Sequence, residues 1–273
     1  MIVFLLKAKS VFIYFINYIL NIIIPRCCLF CGQELLDNND KEFFICKKCE
    51  DDLFCINQKK CCKKCGYPLN LDTRVNFLDK NHTLCYSCKS SKNSFFISRS
   101  CFQYKTNIRH LLMNFKFFFK TESISFIGKS LLKTYYFMPD ADIICCVPIT
   151  RNKLFLNGYN HASLIASSFY KELKKNDKHA KILFLPDLLL KTNKSLQSKM
   201  LSKQERLAKI HNFIVNDKYL SEKWKQFFYK KTILIVDDIM TTGSTLNSAS
   251  YTLNKAFKNT KVECLTLART MLY

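Results

Sequence analysis

One short segment of the chain combines two acidic side chains with a cluster of hydroxyl groups. Residues 233–245 read ILIVDDIMTTGST, in which Asp237 and Asp238 are adjacent. The hydroxyl groups around Gly243 belong to Thr241, Thr242, Ser244 and Thr245. Paired carboxylates can accept hydrogen bonds from a vicinal diol, whereas hydroxyls and main-chain N–H groups beside a glycine suit a phosphate. The segment is therefore a candidate site for a phosphorylated sugar.

The elements around this segment must bring the carboxylates and the hydroxyls together. Residues 233–236 are apolar and mostly β-branched, which predicts a buried strand that delivers Asp237 and Asp238 to the carboxyl edge of a sheet. After Thr245 the apolar residues recur at helical spacing, so the hydroxyls precede a helix N-terminus, whose dipole favours an anion. A phosphate and a diol together predict a ribose 5-phosphate as the ligand.

The second half of the chain alternates apolar strands with helical stretches, which predicts an α/β fold with a parallel sheet. Residues 143–149 and 262–268 are further predicted strands. The first of them leads into a predicted basic loop that contains Arg151 and Lys153. Asn160 is predicted to cap the helix that follows, because apolar residues recur at helical spacing after it.

Eight of the fifteen cysteines form C-x-x-C pairs, which have the spacing of metal ligands. The pairs are Cys28 with Cys31, Cys46 with Cys49, Cys62 with Cys65, and Cys85 with Cys88. They predict two tetrahedral thiolate sites for structural Zn²⁺ in a double zinc ribbon, and they disfavour disulfides or an iron–sulfur cluster. Zinc binding worth about 10–16 kcal/mol would fold this stretch, which has little core of its own. Cys27 and Cys61 adjoin these pairs and leave the ligand register open. Five cysteines outside the pattern are predicted to be small core residues, namely Cys55, Cys101, Cys145, Cys146 and Cys264.

The chain of 273 residues carries a formal net charge of +22, which fits a polyanionic partner such as nucleic acid. An AT-rich coding sequence explains the abundance of Lys, Asn, Ile and Phe equally well, and both explanations stay open. A run of aromatic residues between Lys116 and Lys120 fits the stacking of single-stranded bases, although core packing is the commoner role. These phenylalanines are Phe115, Phe117, Phe118 and Phe119.

The first 26 residues are strongly apolar, but lysines and asparagines interrupt them. A bilayer-spanning helix needs about 20 uninterrupted apolar residues, and no small-residue cleavage site follows. We predict an amphipathic helix over 1–26 that packs on protein, with membrane contact as the minor alternative. The predicted domains are this helix, a double zinc ribbon over 27–92 and the α/β domain over 93–273. The cysteine pattern suits the reducing cytoplasm.

Segment 233–245 resembles the phosphoribosyl diphosphate signature of type I phosphoribosyltransferases: four apolar residues, two acidic, two apolar, then T-T-G-S/T-T/S. With the cysteine pairs in front, the order of motifs is similar to the ComF family of competence proteins. Further similar segments are 102–109, 147–160, 201–206 and 267–270. Asn157 and His161 depart from the family pattern, which has a basic residue and a glutamine at these places.

The resemblance implies a type I phosphoribosyltransferase-like sheet that binds phosphoribosyl diphosphate or a related ribose phosphate. Residues 241–245 would hold the 5-phosphate, and Asp237 and Asp238 would orient the ribose hydroxyls and serve in catalysis. Mg²⁺ would accompany the pyrophosphate, beside Arg151 and Lys153. A ComF relative would support DNA uptake in natural transformation by handling single-stranded DNA, with DNA-uptake proteins as partners. The alternative is an active phosphoribosyltransferase that transfers ribose 5-phosphate to a nucleobase or an amine.

Overall fold

The computed structural model describes most of the chain between residues 27 and 271. The described ranges are 27–35, 45–72, 83–90, 92–118, 121–177, 181–192 and 213–271. The predicted helix over 1–26 and the similar segment 201–206 lie outside them. The chain divides into two compact units, Met1–Leu53 and Phe54–Tyr273, so the boundary falls within the predicted ribbon domain 27–92.

A five-stranded sheet forms the centre of the larger unit. The strands in chain order are β1 (Ile97–Gln103), β2 (Ile143–Cys146), β3 (Leu183–Phe184), β4 (Leu189–Lys191), β5 (Phe213–Val215), β6 (Thr232–Met240) and β7 (Lys261–Arg269). The sheet has the order β1-β7-β6-β2-β3, and each neighbouring pair is parallel. Strands β4 and β5 form a separate antiparallel pair. The predicted α/β fold with a parallel sheet is therefore confirmed.

Helices cover the sheet. The described helices are α1 (Lys47–Asp51), α2 (Tyr86–Ser90), α3 (Thr106–Phe118), α4 (Thr121–Tyr135), α5 (Arg151–Asn157), α6 (His161–Asn176), α7 (Glu222–Phe228) and α8 (Ser244–Ala256). Helix α6 packs on β2 and β6 and against α4, whereas α8 packs on β5, β6 and β7. Across the described ranges, the helices lack the length and apolarity needed to cross a bilayer.

The predicted strands are present, but all three differ in length from the prediction. Strand β2 ends at Cys146, before the predicted 149, because Pro148 has no N–H to offer a neighbouring strand. Strand β6 continues to Met240, beyond the predicted 236, since β7 provides main-chain partners as far as Arg269. The late strand predicted over 262–268 is confirmed as β7, with one more residue at each end.

Glu263 in β7, the strand between β1 and β6, carries a fully buried carboxyl group. Neither of its carboxylate oxygens has a hydrogen-bond partner among the described residues. Burial raises the pKa of Glu263 to about 7, although the charges of Lys261 and Arg99 oppose this shift. The native sheet therefore favours the protonated, neutral form of this side chain.

We expect Glu263 to make the folded chain less stable as the pH rises from about 4.5 to about 7. The unfolded carboxyl loses its proton near the lower value and the folded one near the upper value. The folded state therefore binds more protons within this window, and stability falls through it by about 3 kcal/mol. Glu263→Gln should remove this slope in urea unfolding at pH 5.5 and pH 8. Glu222→Gln, at an exposed position in α7, is the control. If the free energy of unfolding changed equally with pH in wild type and in Glu263→Gln, the prediction would be wrong.

Candidate functional site

Asp237 and Asp238 lie within β6, where sequence reasoning placed them after the strand, and both are half-buried. Each aspartate accepts a hydrogen bond from the next main-chain N–H, at 2.9 Å for Asp238 N to Asp237 Oδ1 and 2.7 Å for Ile239 N to Asp238 Oδ1. The register with β7 is constant to Met240, so the strand has no bulge here. Successive side chains therefore alternate, and the two carboxylates lie on opposite faces of β6.

The residues 241–245, which we call the hydroxyl loop, connect β6 to α8. Helix α8 begins at Ser244, earlier than predicted, so the loop includes its first residues. The hydroxyl-bearing side chains are exposed at Thr241, Thr242, Ser244 and Thr245. The N-cap Gly243 has no side chain to cap α8, the N–H of Ser244 donates to Oγ1 of Thr242 at 3.4 Å, and the next N–H groups have no partner within the helix. The loop therefore offers hydroxyls, main-chain donors and a helix dipole to an anion.

Gly243 is the N-cap of α8 and meets two separate restrictions. Its φ is +81°, in the left-handed region that favours glycine. A Cβ atom added here would lie 2.6 Å from Cε of Met240, the last residue of β6. The turn therefore favours glycine at this position, and an added Cβ would also displace the terminal methyl group of Met240.

The predicted basic loop after β2 is the short helix α5. Thr150 caps this helix by accepting a hydrogen bond from the N–H of Lys153 at 3.4 Å, and Gly158 ends it in the left-handed conformation. Arg151 and Lys153 are both exposed. Strands β2 and β6 are parallel neighbours, and Val147 still donates to the carbonyl of Val236. The chain leaves both strands at the same sheet edge, so α5 and the hydroxyl loop both follow from it.

Asn160 caps α6, as predicted, by accepting a hydrogen bond from the N–H of Ala162 at 3.2 Å.

A cavity of about 690 Å³ lies at the carboxyl ends of β2 and β3. Its walls are largely apolar and include Pro148, Arg151, Tyr159, Pro186, Leu189 and Ile214. The volume is in the range that small-molecule ligands occupy.

Four of the paired cysteines, Cys28, Cys31, Cys46 and Cys49, form the first cluster, which lies in the smaller unit. Their sulfur atoms all lie within 4.8 Å of one another. The Sγ atoms of Cys31 and Cys46 are 3.8 Å apart, which matches a tetrahedral zinc site with Zn–S bonds of about 2.3 Å. The cluster therefore suits zinc, which binds thiolates.

The other four, Cys62, Cys65, Cys85 and Cys88, form the second cluster, which lies in the larger unit. Its sulfur atoms also lie within 4.8 Å of one another, with 3.5 Å between Cys65 and Cys85. The two clusters fit two structural zinc sites, as predicted. The clusters also show which of the adjacent cysteines are the ligands, because they contain Cys28 and Cys62 and not Cys27 and Cys61. The neighbouring Cys61 thiol donates instead to the carbonyl of Gln58 at 3.3 Å.

The remaining cysteines are mostly core residues, as predicted. Cys101, Cys145, Cys146 and Cys264 are buried. Burial raises the pKa of Cys101, Cys146 and Cys264 to about 12, so these thiols stay neutral. Cys55 is exposed, and the prediction of a core role is wrong for it.

Sequence reasoning missed two buried arginines beside the second cluster, Arg99 in β1 and Arg269 in β7. The Arg99 guanidinium donates to the carbonyls of Cys62 and Lys63, both at 3.3 Å. The Arg269 guanidinium donates to the carbonyl of Cys65 at 2.5 Å and lies 3.7 Å from its Sγ. In the sequence, Arg269 stands out only as part of segment 267–270, which resembles the ComF family, and that resemblance does not predict a contact with a cysteine.

Comparisons with known proteins agree with the cysteine pattern. A model of the double zinc ribbon domain matches residues 19–89, a range that includes both clusters. No curated protein matches the chain by sequence. Among solved structures, the chain is similar to adenine phosphoribosyltransferase from Leishmania tarentolae, with 14% identity over 62% of this chain and 76% of that one. The TM-score is 0.30, so the fold assignment depends on the sheet described above.

Proposed function

We propose that the chain is a ComF-like protein that binds phosphoribosyl diphosphate, or a related ribose phosphate, at the carboxyl edge of β6. The observation that carries this proposal is the hydroxyl loop, with its exposed hydroxyls and the glycine that opens the N-terminus of α8. In this role the chain acts in the cytoplasm and supports DNA uptake in natural transformation by handling single-stranded DNA.

In this proposal, different residues bind different parts of the ligand. The loop N–H groups and hydroxyls bind the 5-phosphate, and an aspartate of β6 accepts hydrogen bonds from the ribose hydroxyls. Arg151 and Lys153 in α5 offset the charge of the pyrophosphate. Mg²⁺ would accompany the diphosphate, and the half-buried aspartate on the ribose face of β6 would offer the kind of oxygen ligand that it prefers.

Helix α5 supports the proposed contact with single-stranded DNA. Phe155 is 89% exposed and Leu156 80% exposed, although both are large and apolar. They lie between the cations of the helix, Arg151 and Lys153, and its end at Gly158. Exposed aromatic rings beside cations bind single strands by base stacking and phosphate neutralisation. Phe115, one candidate from the sequence, is fully buried and belongs to the core.

The alternative is an active phosphoribosyltransferase that transfers ribose 5-phosphate to a nucleobase or an amine. The cavity of about 690 Å³ favours it, because Arg151 lines that cavity and apolar walls suit a planar base. The chain would then work by positioning and electrostatics, since the departing pyrophosphate carries the developing negative charge.

Gly243→Ala is expected to weaken the binding of Mg²⁺-phosphoribosyl diphosphate at least tenfold, as measured by titration calorimetry. The added Cβ would displace Met240 and strain the turn that presents the loop N–H groups. Gly32→Ala is the matched control, because Gly32 also has a positive φ but nothing within 4 Å of the added Cβ. Wild-type affinity in Gly243→Ala would argue against the hydroxyl loop as the site.

Two further assays separate the proposed functions. A salt-dependent gel shift of labelled single-stranded DNA, without release of pyrophosphate over a panel of acceptors, supports the DNA-handling role. Release of pyrophosphate with one acceptor supports the alternative. Phe155→Ala should weaken the shift, whereas Tyr136→Ala, which removes a ring that is 64% exposed elsewhere, should not. A chain that binds neither DNA nor phosphoribosyl diphosphate would overturn the proposal.

A further inference from the structure

We infer that the second cluster supports the hydroxyl loop, so that zinc retention at this cluster and ribose phosphate binding strengthen each other. Arg269 is the positioning residue that joins the two. This inference rests on the proposed function, because it takes the hydroxyl loop as the ribose phosphate site. It makes the second zinc ribbon a supporting part of that site.

The first connection runs through Arg269, at the end of β7. This side chain is 3% exposed, and its guanidinium lies 4.9 Å from the ring centre of Tyr67, beside its contacts with Cys65. Across the sheet, Arg269 is the register partner of Met240, and the N–H of Thr270 donates to the carbonyl of Met240 at 3.0 Å. Arg269 thus contacts a zinc ligand and lies beside the strand end from which the loop starts, and the next residue, Thr270, holds that strand end by a hydrogen bond.

The second connection runs through Ser98 in β1. Its N–H donates at 2.8 Å to the carbonyl of Lys64, which lies between two ligands of the second cluster. Its hydroxyl donates to Sδ of Met240 at 3.4 Å. The Cε of Met240 is in turn the atom that an added Cβ at Gly243 would meet. A continuous path of contacts therefore leads from the cysteine turn to the N-cap of α8.

The third connection is a small shared cavity of about 70 Å³. Its walls include Cys65, Cys85 and Cys88 of the second cluster, together with Met240, Thr242 and Arg269. This space holds no more than a few water molecules, so ligand and metal do not meet in it. The shared cavity shows that Thr242 of the hydroxyl loop and three zinc ligands lie in the same local environment.

The segment after the second cluster adds an anchor on α8. Asn93 donates to Sγ of Cys88 at 3.5 Å. The N–H of Ser94 then donates to Asn247 of α8 at 2.5 Å, and Asn254 of α8 donates to the carbonyl of Ser94 at 2.8 Å. Helix α8, which begins in the hydroxyl loop, is therefore hydrogen-bonded to the segment that follows the zinc ligand Cys88.

Charge gives the coupling its physical cause. Zinc bound by four thiolates has a formal charge of about −2, and the buried Arg99 and Arg269 lie where they can offset it. If zinc leaves, the four sulfurs are no longer held at one centre, and the metal no longer fixes the main-chain carbonyls that Arg99 and Arg269 contact. The turn at Cys65 and the end of β7 then lose their fixed positions. By linkage, a ligand that binds more tightly when zinc orders the loop must also raise the zinc affinity of the second cluster, and we expect slower zinc release as its readout.

The test is the rate of zinc release from the full chain to a chromogenic chelator, with and without Mg²⁺-phosphoribosyl diphosphate. We expect two zinc ions, one released about five- to tenfold more slowly when the ligand is present. The other, from the first cluster in the smaller unit, should keep its rate and serves as the internal reference. Cys46→Ser removes that reference site, so the single remaining zinc should be the protected one.

Arg269→Lys tests the positioning role. Lysine keeps the charge but lacks the planar group that reaches Cys65 and stacks on Tyr67. The variant should still bind two zinc ions, while the ligand no longer slows release and binds more weakly in calorimetry. Full protection in Arg269→Lys would overturn the role of Arg269.

The possible results distinguish a failure of this inference from a failure of the proposed function. Binding of phosphoribosyl diphosphate in calorimetry with unchanged release of both zinc ions overturns the coupling and leaves the proposed function standing. No binding by the wild-type chain overturns both. Slower release of the second zinc alone supports the coupling, whereas equal slowing of both ions contradicts it, because it indicates a general effect of the ligand.

Discussion

Cys85→Ser is expected to remove one of the two zinc ions and to destabilise the unit Phe54–Tyr273 strongly. Structural zinc supplies about 10–16 kcal/mol of binding energy, and serine is a far weaker ligand than a thiolate. The loss also leaves Arg99 and Arg269 buried beside a neutral site. A cost on the order of 4–5 kcal/mol should lower the melting temperature by about 10 °C or more. Zinc content and circular dichroism melting measure both effects.

Cys61→Ser is the matched control for this change. Cys61 is also buried and lies next to a ligand, but it belongs to neither cluster. Its thiol donates to the carbonyl of Gln58, and a serine hydroxyl can replace that hydrogen bond. The control should keep two zinc ions and most of its stability. Retention of both ions and of the wild-type melting temperature in Cys85→Ser would show that the second cluster is not a zinc site.

Features set by local sequence could be predicted well. The cysteine pairs identified both clusters, because a C-x-x-C turn directs two sulfurs to one side whatever the rest of the fold does. The cap at Asn160 was also predictable, since a cap depends on a few neighbouring residues. The apolar run 233–236 identified the start of β6 for the same reason.

Features set by distant partners could not be predicted. The end of β6 depends on how far β7 runs beside it, so the strand continued through both aspartates and separated them onto opposite faces. The roles of Arg99 and Arg269 depend on contacts across the fold, and Arg269 meets Cys65 over a separation of 204 residues. No local pattern encodes such pairs.

Helix α5 shows a signal that was present but not used. Thr150 and Gly158 are ordinary start and stop residues of a short helix, and the structure uses both. The segment between them lacks an apolar face, and all of its residues are exposed. Apolar periodicity therefore predicted a loop where capping residues indicated a helix.

Changing both Asp237 and Asp238 to asparagine is expected to weaken the binding of Mg²⁺-phosphoribosyl diphosphate by at least about 100-fold in calorimetry. Hydrogen bonds to a charged group contribute about 1.5–3 kcal/mol each, and 1.4 kcal/mol corresponds to a tenfold change. Asparagine keeps the size of both side chains, so the strand itself should persist. Asp217→Asn, an exposed carboxylate in the turn before α7, is the control and should bind normally.

The two single variants should differ, because β6 places the carboxylates on opposite faces. The aspartate on the face that binds the ribose should account for most of the loss, while the other should have a smaller effect through the charge near Mg²⁺. Equal losses in both would contradict this geometry. Single-stranded DNA binding should survive the double change, since helix α5 keeps Phe155 and its cations. Loss of both activities would instead mean that DNA and ribose phosphate share the carboxylates of β6.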